Sequence, residues 1–323
     1  MPESDSGEYW SDGVCAPLPM AVVVSVSGKD AQSIVNNLST NDVRSLTVGT
    51  AVETFITDVR GWVVAFVNVV CLDKEVLLVG QLSDPAILVR HIDRYIVRED
   101  AVVRDRSAEV ATFVIDGKKS AVLFPASNEL DKSARTSQLI EISRGDLVAQ
   151  VYHAPITSAI SKIAIVPSIR AEEFQGWMRD LGLRITNAAA EFEHQRISAF
   201  WPVAGREIVE KTLPQELDRD SRAISFTKGC YLGQETVARL DARGQLQKKL
   251  CLLSITGSPD VGAQLTCEGK PAGAITSLST DAARQRSLAQ AYVRRGFFEP
   301  GTQLEIGTNL AIVLDPISQI KSA

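Results

Sequence analysis

The first hundred residues alternate between runs with strand periodicity and segments with helical periodicity. Ala21–Val26 is an almost continuous apolar run of strand length, and the apolar positions of residues 30–38 recur at helical spacing. Val52–Thr57 and Trp62–Cys71 are rich in β-branched and aromatic residues, and the turn-forming residues between them favour a hairpin. This pattern predicts a first lobe of mixed helices and strands over residues 20–105.

The middle of the chain repeats this mixture and predicts a second lobe over residues 106–245. A helix is predicted after Pro167, with an apolar stripe that faces the core. The polar segment Pro125–Arg144 has the weakest pattern, and we interpret it as an excursion on the surface. Strands are predicted at four segments, Val110–Ile115, Ala121–Phe124, Leu147–Tyr152 and Lys162–Val166.

The two ends of the chain differ from these lobes. Residues 1–19 are polar, acidic and rich in proline, glycine and serine, which predicts a flexible arm. From residue 246 to residue 323, short strands alternate with glycine turns at a spacing typical of a small antiparallel barrel. The predicted fold class is therefore α+β, with two mixed lobes followed by a β-barrel.

Composition narrows the function further. The 323 residues are 45% hydrophobic and carry a net charge of -5, which argues against general binding to nucleic acid or to an anionic membrane. The five cysteines have no C-x-x-C spacing, so we expect neither a disulfide framework nor a metal site. We expect a monomer in the cytoplasm, since the first residues lack a signal-peptide pattern and free cysteines fit a reducing compartment.

The stretch Thr227–Arg239 is the strongest candidate for chemistry. Cys230 precedes a predicted helix that begins near Gln234, so the helix dipole favours a thiolate there, and the charge of Lys228 adds to the effect. We therefore interpret Cys230 as a reactive thiol rather than as a small buried hydrophobe. Gly229 and Gly233 allow a sharp turn or a close approach of the backbone.

The run Lys-Gly-Cys-Tyr-Leu-Gly-Gln-Glu at residues 228–235 resembles the signature of the YgfZ family of folate-binding proteins. These proteins are related to the aminomethyltransferase, or T-protein, of the glycine cleavage system. Residues 58–61, 95–102 and 196–205 are also similar to family segments. The resemblance implies a three-lobed, T-protein-like ring around a folate pocket, and a role in the assembly or repair of iron–sulfur clusters.

The resemblance also assigns roles to individual residues. It implies that Cys230 and Lys228 are the catalytic pair and that tetrahydrofolate, or a derivative, is the cofactor. The other implied motif residues are Gly229, Tyr231, Gly233, Gln234, Glu235 and Arg239. The implied folate contacts are Phe192, Ser198 and Tyr231.

Several positions depart from the family pattern. Ser198 stands where the T-proteins have a glutamate that contacts the pterin, and Phe200 stands at a family glycine. Of two aromatic positions that flank folate, Phe192 keeps one and Ala21 replaces the other. Residues 79–84 lack the Asn-Ala-Ala-Asn run of the transferases, which argues against methylamine chemistry.

Three hypotheses of different classes remain. The favoured one is a folate-dependent assistant of iron–sulfur cluster assembly or repair, whose partners are assembly or client proteins and whose functional group is Cys230. The second is an aminomethyltransferase or demethylase, for which Asp84 and Asp42 are the candidate carboxylates. The third is a non-catalytic folate sensor whose barrel binds a partner protein.

Overall fold

A computed structural model describes residues 10–125, 130–131, 135–244, 246–281 and 286–315. The chain forms two α+β lobes and a closed six-stranded antiparallel barrel, which confirms the predicted fold class. No helix in these ranges is long and apolar enough to cross a membrane.

The first lobe is an antiparallel sheet with two helices packed on it. Its apolar strands are buried along most of their length, as their continuous hydrophobic runs require. The elements are β2 (Ala21–Ser27), α1 (Ala31–Leu38), β3 (Thr50–Thr57), β4 (Val63–Cys71), β5 (Glu75–Gln81), α2 (Pro85–Asp93) and β6 (Val102–Asp105). The order of the strands across the sheet is β3, β4, β5, β2 and β6.

The second lobe has the same composition, and its main strands lie where they were predicted. The exception is Ala121–Phe124, where the strand prediction is wrong because these residues continue a short helix begun after Gly117. Phe174 and Met178 of the predicted amphipathic helix are fully buried. The elements are β7 (Val110–Asp116), α3 (Lys118–Leu123), β8 (Leu130–Asp131), β9 (Thr136–Arg144), β10 (Leu147–His153), β11 (Lys162–Pro167), α4 (Ala171–Asp180) and β12 (Arg184–Ile185).

The prediction of a flexible arm is wrong for residues 10–19. Strand β1 (Val14–Pro17) lies between β7 and β12 of the second lobe. Trp10 is 2% exposed and meets Phe192 edge to face, with ring centroids 6.5 Å apart. The prediction failed because the acidic composition of the first residues outweighed this short apolar segment. Residues 1–9 lie outside the described residues.

The segment Pro125–Arg144 was also interpreted wrongly as a surface excursion. Its second half is β9, which pairs with β10 on one side and with β3 of the first lobe on the other. The two lobes therefore share a continuous sheet, and the β3–β9 junction lies near the centre of the molecule. Residues 126–129 and 132–134 of this segment lie outside the described part of the chain.

A connecting segment links the second lobe to the barrel. It contains α5 (Ala189–Ser198), a 3-10 turn (Pro214–Leu217), α6 (Asp220–Ala223) and α7 (Gln234–Arg243). Arg196 of α5 is 1% exposed and binds Glu207 at 3.2 Å and Ser277 of the barrel at 2.8 Å, which fixes the segment against the barrel. The barrel strands are β13 (Lys248–Thr256), β14 (Gln264–Cys267), β15 (Lys270–Asp281), β16 (Arg286–Arg294), β17 (Gln303–Ile306) and β18 (Asn309–Leu314).

Candidate functional site

Cys230 lies on an exposed loop immediately before α7. The helix begins after Gly233, which has a φ of +80°. Cys230 is exposed, and so is Gly229 beside it. The structure thus places the thiol in solvent ahead of a helix N-terminus, whereas its reactivity stays a prediction.

The ammonium group of Lys228 is held by the first lobe. Its Nζ donates to the carbonyl oxygens of Asn36, Ser39 and Asn41 at 2.8, 2.7 and 2.8 Å. These carbonyls stabilise the charged form, but burial lowers the pKa of Lys228 to about 7, an effect that Asp42 opposes. Lys228 therefore anchors the Cys230 loop, a role that sequence reasoning did not assign to it.

Backbone contacts fix the other end of the loop. The N–H of Leu232 donates to the carbonyl of Asn37 at 2.8 Å, and Thr57 Oγ1 donates to the carbonyl of Leu232 at 2.7 Å. A Cβ on Gly233 would lie 2.5 Å from the carbonyl oxygen of Asp58, so only glycine fits where α7 meets the β3–β4 hairpin. The loop is consequently fastened to the first lobe on both sides of Cys230.

Gly229 differs from Gly233, because a Cβ there would meet no atom within 4 Å. Its φ also lies outside the left-handed region that favours glycine. Folding therefore gives no steric reason for glycine at this position. The space next to Cys230 is therefore open.

The remaining motif residues take ordinary positions. Tyr231 is 9% exposed, and its ring lies 5.1 Å from Lys228 Nζ, so it packs beneath the loop. Gln234 starts α7, and its N–H donates to the carbonyl of Tyr231 at 3.2 Å. Glu235 and Arg239 are both exposed, and in the described ranges no ion pair joins them.

Two neighbouring cavities share part of their lining. The larger, of about 430 Å³, lies between the connecting segment and the barrel, and its apolar walls include Phe200 and Phe298. The smaller, of about 120 Å³, lies at the β3–β9 junction between the lobes. Pro155, Ser221 and Arg222 line both.

The predicted folate contacts lie close to these cavities but do not line them. Phe192 is 5% exposed in the core against Trp10, and Ser198 is half-buried at the end of α5. The next residues, Ala199 and Phe200, do line the larger cavity. Cys230 is absent from the lining of either cavity.

A buried ionic cluster, which sequence analysis did not predict, borders both cavities. Arg219 Nε and Nη2 donate to the two carboxylate oxygens of Glu53 at 2.6 and 2.7 Å, and both side chains are 6% exposed. Arg222 Nε lies 3.7 Å from the same carboxylate. The arginines hold the pKa of Glu53 below its usual value despite the opposing effect of burial. The members of the cluster are distant in sequence, so no local sequence motif could have predicted it.

Phe200 shows how this cluster supports the connecting segment. Its φ of +55° lies in the left-handed region, which favours glycine. Arg219 Nη1 donates to its carbonyl oxygen at 3.2 Å. The contact holds a phenylalanine in a conformation that costs roughly 1–2 kcal/mol for a residue with a side chain.

Comparison with known proteins places this geometry among the relatives of the aminomethyltransferases. Residues 20–154 match the family model of the GCVT N-terminal domain. The structure of glycine cleavage system aminomethyltransferase T from Bartonella henselae superposes with a TM-score of 0.79 at 15% identity, covering 96% of this chain and 86% of that one. The chain therefore has the fold of an aminomethyltransferase T and contains a match to the GCVT N-terminal domain.

Two curated relatives narrow the class. The tRNA-modifying protein YgfZ of Colwellia psychrerythraea is 24% identical over 238 residues, which cover 73% of this chain and 70% of the relative. The mitochondrial iron–sulfur cluster assembly factor IBA57 homolog of Neurospora crassa is 24% identical over 253 residues, covering 75% and 54%. Similarity to these two relatives over about three quarters of the chain, together with the matched domain and the superposed fold, supports a YgfZ-type protein related to the glycine-cleavage aminomethyltransferases.

Proposed function

We propose that this protein binds a tetrahydrofolate and assists the assembly or repair of iron–sulfur clusters in the cytoplasm, with Cys230 as its functional group. The observation that carries the proposal is an exposed thiol on a loop that is fastened on both sides. Among its relatives, one is named as an iron–sulfur cluster assembly factor.

The anchoring of the loop supports a role in presenting the thiol. Lys228 and Leu232 hold the backbone on either side of Cys230, and Gly229 leaves the space beside it open. A thiolate held in this way can bind iron, form a mixed disulfide or attack an electrophile on a partner protein. In the described ranges no cluster of three or more potential metal ligands occurs, so a cluster bound here would need ligands from a partner.

The larger cavity fits tetrahydrofolate. Its volume of about 430 Å³ falls in the range of roughly 300–1,000 Å³ typical of small-molecule sites. Phe200 and Phe298 offer aromatic surface for ring stacking, and Asp220 Oδ1 is a buried acceptor without a partner that can take the pterin N–H donors. Asp220 would supply the carboxylate that Ser198 lacks. A bound tetrahydrofolate supplies amine nitrogens that accept one-carbon units.

The contacts of Asp84 and Asp42 speak against an aminomethyltransferase. Asp84 accepts from the N–H of Ala86 at 2.9 Å as the N-cap of α2, and Asp42 accepts from the N–H of Ser45 at 3.2 Å. Neither carboxylate lines the two central cavities. Because both are used in local turns, we propose that the protein lacks glycine-cleavage activity.

Isothermal titration calorimetry with tetrahydrofolate tests the folate assignment. We expect binding to the wild-type protein and at least tenfold weaker binding to Phe298→Ala and Asp220→Asn. Phe297→Ala is the matched control, since this neighbouring phenylalanine does not line the cavity. The absence of heat with folded wild-type protein, or equal weakening in the control, would refute the assignment. The sequence-based expectation that Phe192 contacts folate predicts weaker binding to Phe192→Ala. The present assignment does not, because Phe192 packs in the core and does not line the cavity.

A further inference from the structure

Charges around the smaller cavity do not balance. Arg135 and Arg222 line it together with Glu53, and Glu53 is already bound at both oxygens by Arg219. Arg222 makes only the 3.7 Å approach to that carboxylate, and Arg135 donates to the carbonyls of residues 220 and 224. Three guanidinium groups thus surround one carboxylate, an excess of positive charge that a bound anion would offset.

His153 adds a buried nitrogen atom that has no hydrogen-bond partner. It is 6% exposed and lines the cavity, and its Nε2 lies 2.7 Å from the carbonyl oxygen of Ala159. Because a carbonyl can only accept, Nε2 carries the proton, so Nδ1 has a free lone pair in the neutral ring. Nδ1 is buried and has no hydrogen-bond partner. A ring protonated on both nitrogens would instead donate from Nδ1 to an anion.

Two further buried polar residues line the cavity, beside the apolar residues Ala51, Val52 and Pro155. Asn68 and Ser137 are 4% and 3% exposed, and neither side chain makes a hydrogen bond to the residues that the structure describes. A cavity of about 120 Å³ exceeds the roughly 10–15 Å³ that one water requires, so it admits a small polar molecule.

We propose that this cavity binds a small oxyanion of carboxylate size between Arg222 and the protonated ring of His153, with Asn68 and Ser137 completing the site. The proposal does not depend on folate, because folate is assigned to the larger cavity. Arg222 lies between the two, so a ligand in one cavity can affect binding in the other.

Binding of the anion should be linked to uptake of a proton. Burial, Arg222 and Lys162 lower the pKa of His153, whereas the Ala159 carbonyl and Glu53 raise it. The free ring is therefore neutral at pH 7, and the complex requires its protonated form. Affinity for the anion should fall as the pH rises above the pKa of His153 in the free protein, by up to about tenfold per pH unit until the higher pKa of the complex is reached.

Nitrogen NMR of protein labelled at histidine tests the site without folate. The chain has three histidines, so His153→Gln assigns the signal. Formate is added up to about 100 mM at constant ionic strength, enough to fill a site with a millimolar Kd. We expect His153 to shift toward the protonated form near pH 6 and to respond at least tenfold more weakly at pH 8.

Variants and other anions decide the outcome. Arg222→Gln should abolish the response, and Arg222→Lys should retain part of it. Arg98→Gln, which removes an exposed charge that does not line the cavity, should retain all of it. Acetate and phosphate test the size limit. No response of His153 to formate, an equal response in folded Arg222→Gln, or a response to phosphate alone would overturn the proposal. The two proposals can be refuted independently. Refuting the anion site would not affect the calorimetric test of folate binding, and refuting folate binding would not affect the anion site.

Discussion

The Glu53–Arg219 pair should be among the most sensitive points of the fold. Replacing Arg219 with glutamine removes both hydrogen bonds to a carboxylate that is 6% exposed. Removing one partner of a buried ion pair typically lowers the free energy of unfolding by about 3–5 kcal/mol, because the other charge stays buried without compensation. Arg219 also stacks 4.7 Å from the Trp201 ring centroid, a contact worth about 0.5–2 kcal/mol when buried.

Arg222 provides the matched comparison. Its approach of 3.7 Å to Glu53 is too long for a hydrogen bond, and its side chain is 31% exposed. Arg222→Gln should therefore change the free energy of unfolding by less than about 1 kcal/mol. In a 323-residue protein, a loss of 3–5 kcal/mol would appear as a clear fall in the urea midpoint at unchanged slope.

The pH dependence gives an independent check on the same pair. The folded-state pKa of Glu53 is lowered, so its contribution is present above the unfolded pKa and is lost as the pH falls through the folded value. Arg219→Gln should therefore cost more near neutral pH than in acid. Equal destabilisation by Arg219→Gln and Arg222→Gln, or a cost of Arg219→Gln that grows in acid, would refute this reasoning.

Two further predictions concern the loop. Gly233→Ala should destabilise the protein by several kcal/mol, since its φ is +80° and the new Cβ would lie 2.5 Å from the Asp58 carbonyl oxygen, whereas Gly229→Ala should stay within about 0.5 kcal/mol in urea titrations; equal effects would contradict the assigned packing. Iodoacetamide should label exposed Cys230 first and half-buried Cys267 more slowly, as read by peptide mass spectrometry. The other three thiols should react last, because burial raises the pKa values of Cys15 and Cys251 to about 12 and also raises that of Cys71. Labelling of any of these three before Cys230 would contradict the structure.

Local patterns predicted the parts of this fold that depend on local spacing. Continuous apolar runs such as Ala21–Val26 and the glycine-divided barrel strands were readable, because burial leaves its period in the sequence. The strand β9 was missed, since its residues are mostly polar and it is defined by pairing with β3 and β10. Tertiary contact decides such a strand, as it decides the inclusion of Trp10 in the core.

Sequence analysis likewise predicted the parts of the candidate site that are close in sequence and missed those that are distant. Cys230, Gly233 and the start of α7 lie close in sequence, so spacing alone placed them together. The anchoring role of Lys228 could not be predicted from local sequence, because its three carbonyl partners belong to residues about 190 positions earlier. The central cavities combine Glu53, His153 and Arg222 from three segments, a combination that sequence spacing could not predict.

The most direct test of the central claim is Cys230→Ser in cells whose own copy of this protein is deleted. The account predicts that iron–sulfur enzyme activities fall to the level of the deletion, whereas the purified variant keeps its Tm within about 2 °C, because the replaced side chain is exposed. Cys267→Ser, at the half-buried barrel cysteine, should restore the activities fully. If folded Cys230→Ser protein restores the activities as well as the wild type does, the thiol is not the functional group and the proposed function fails.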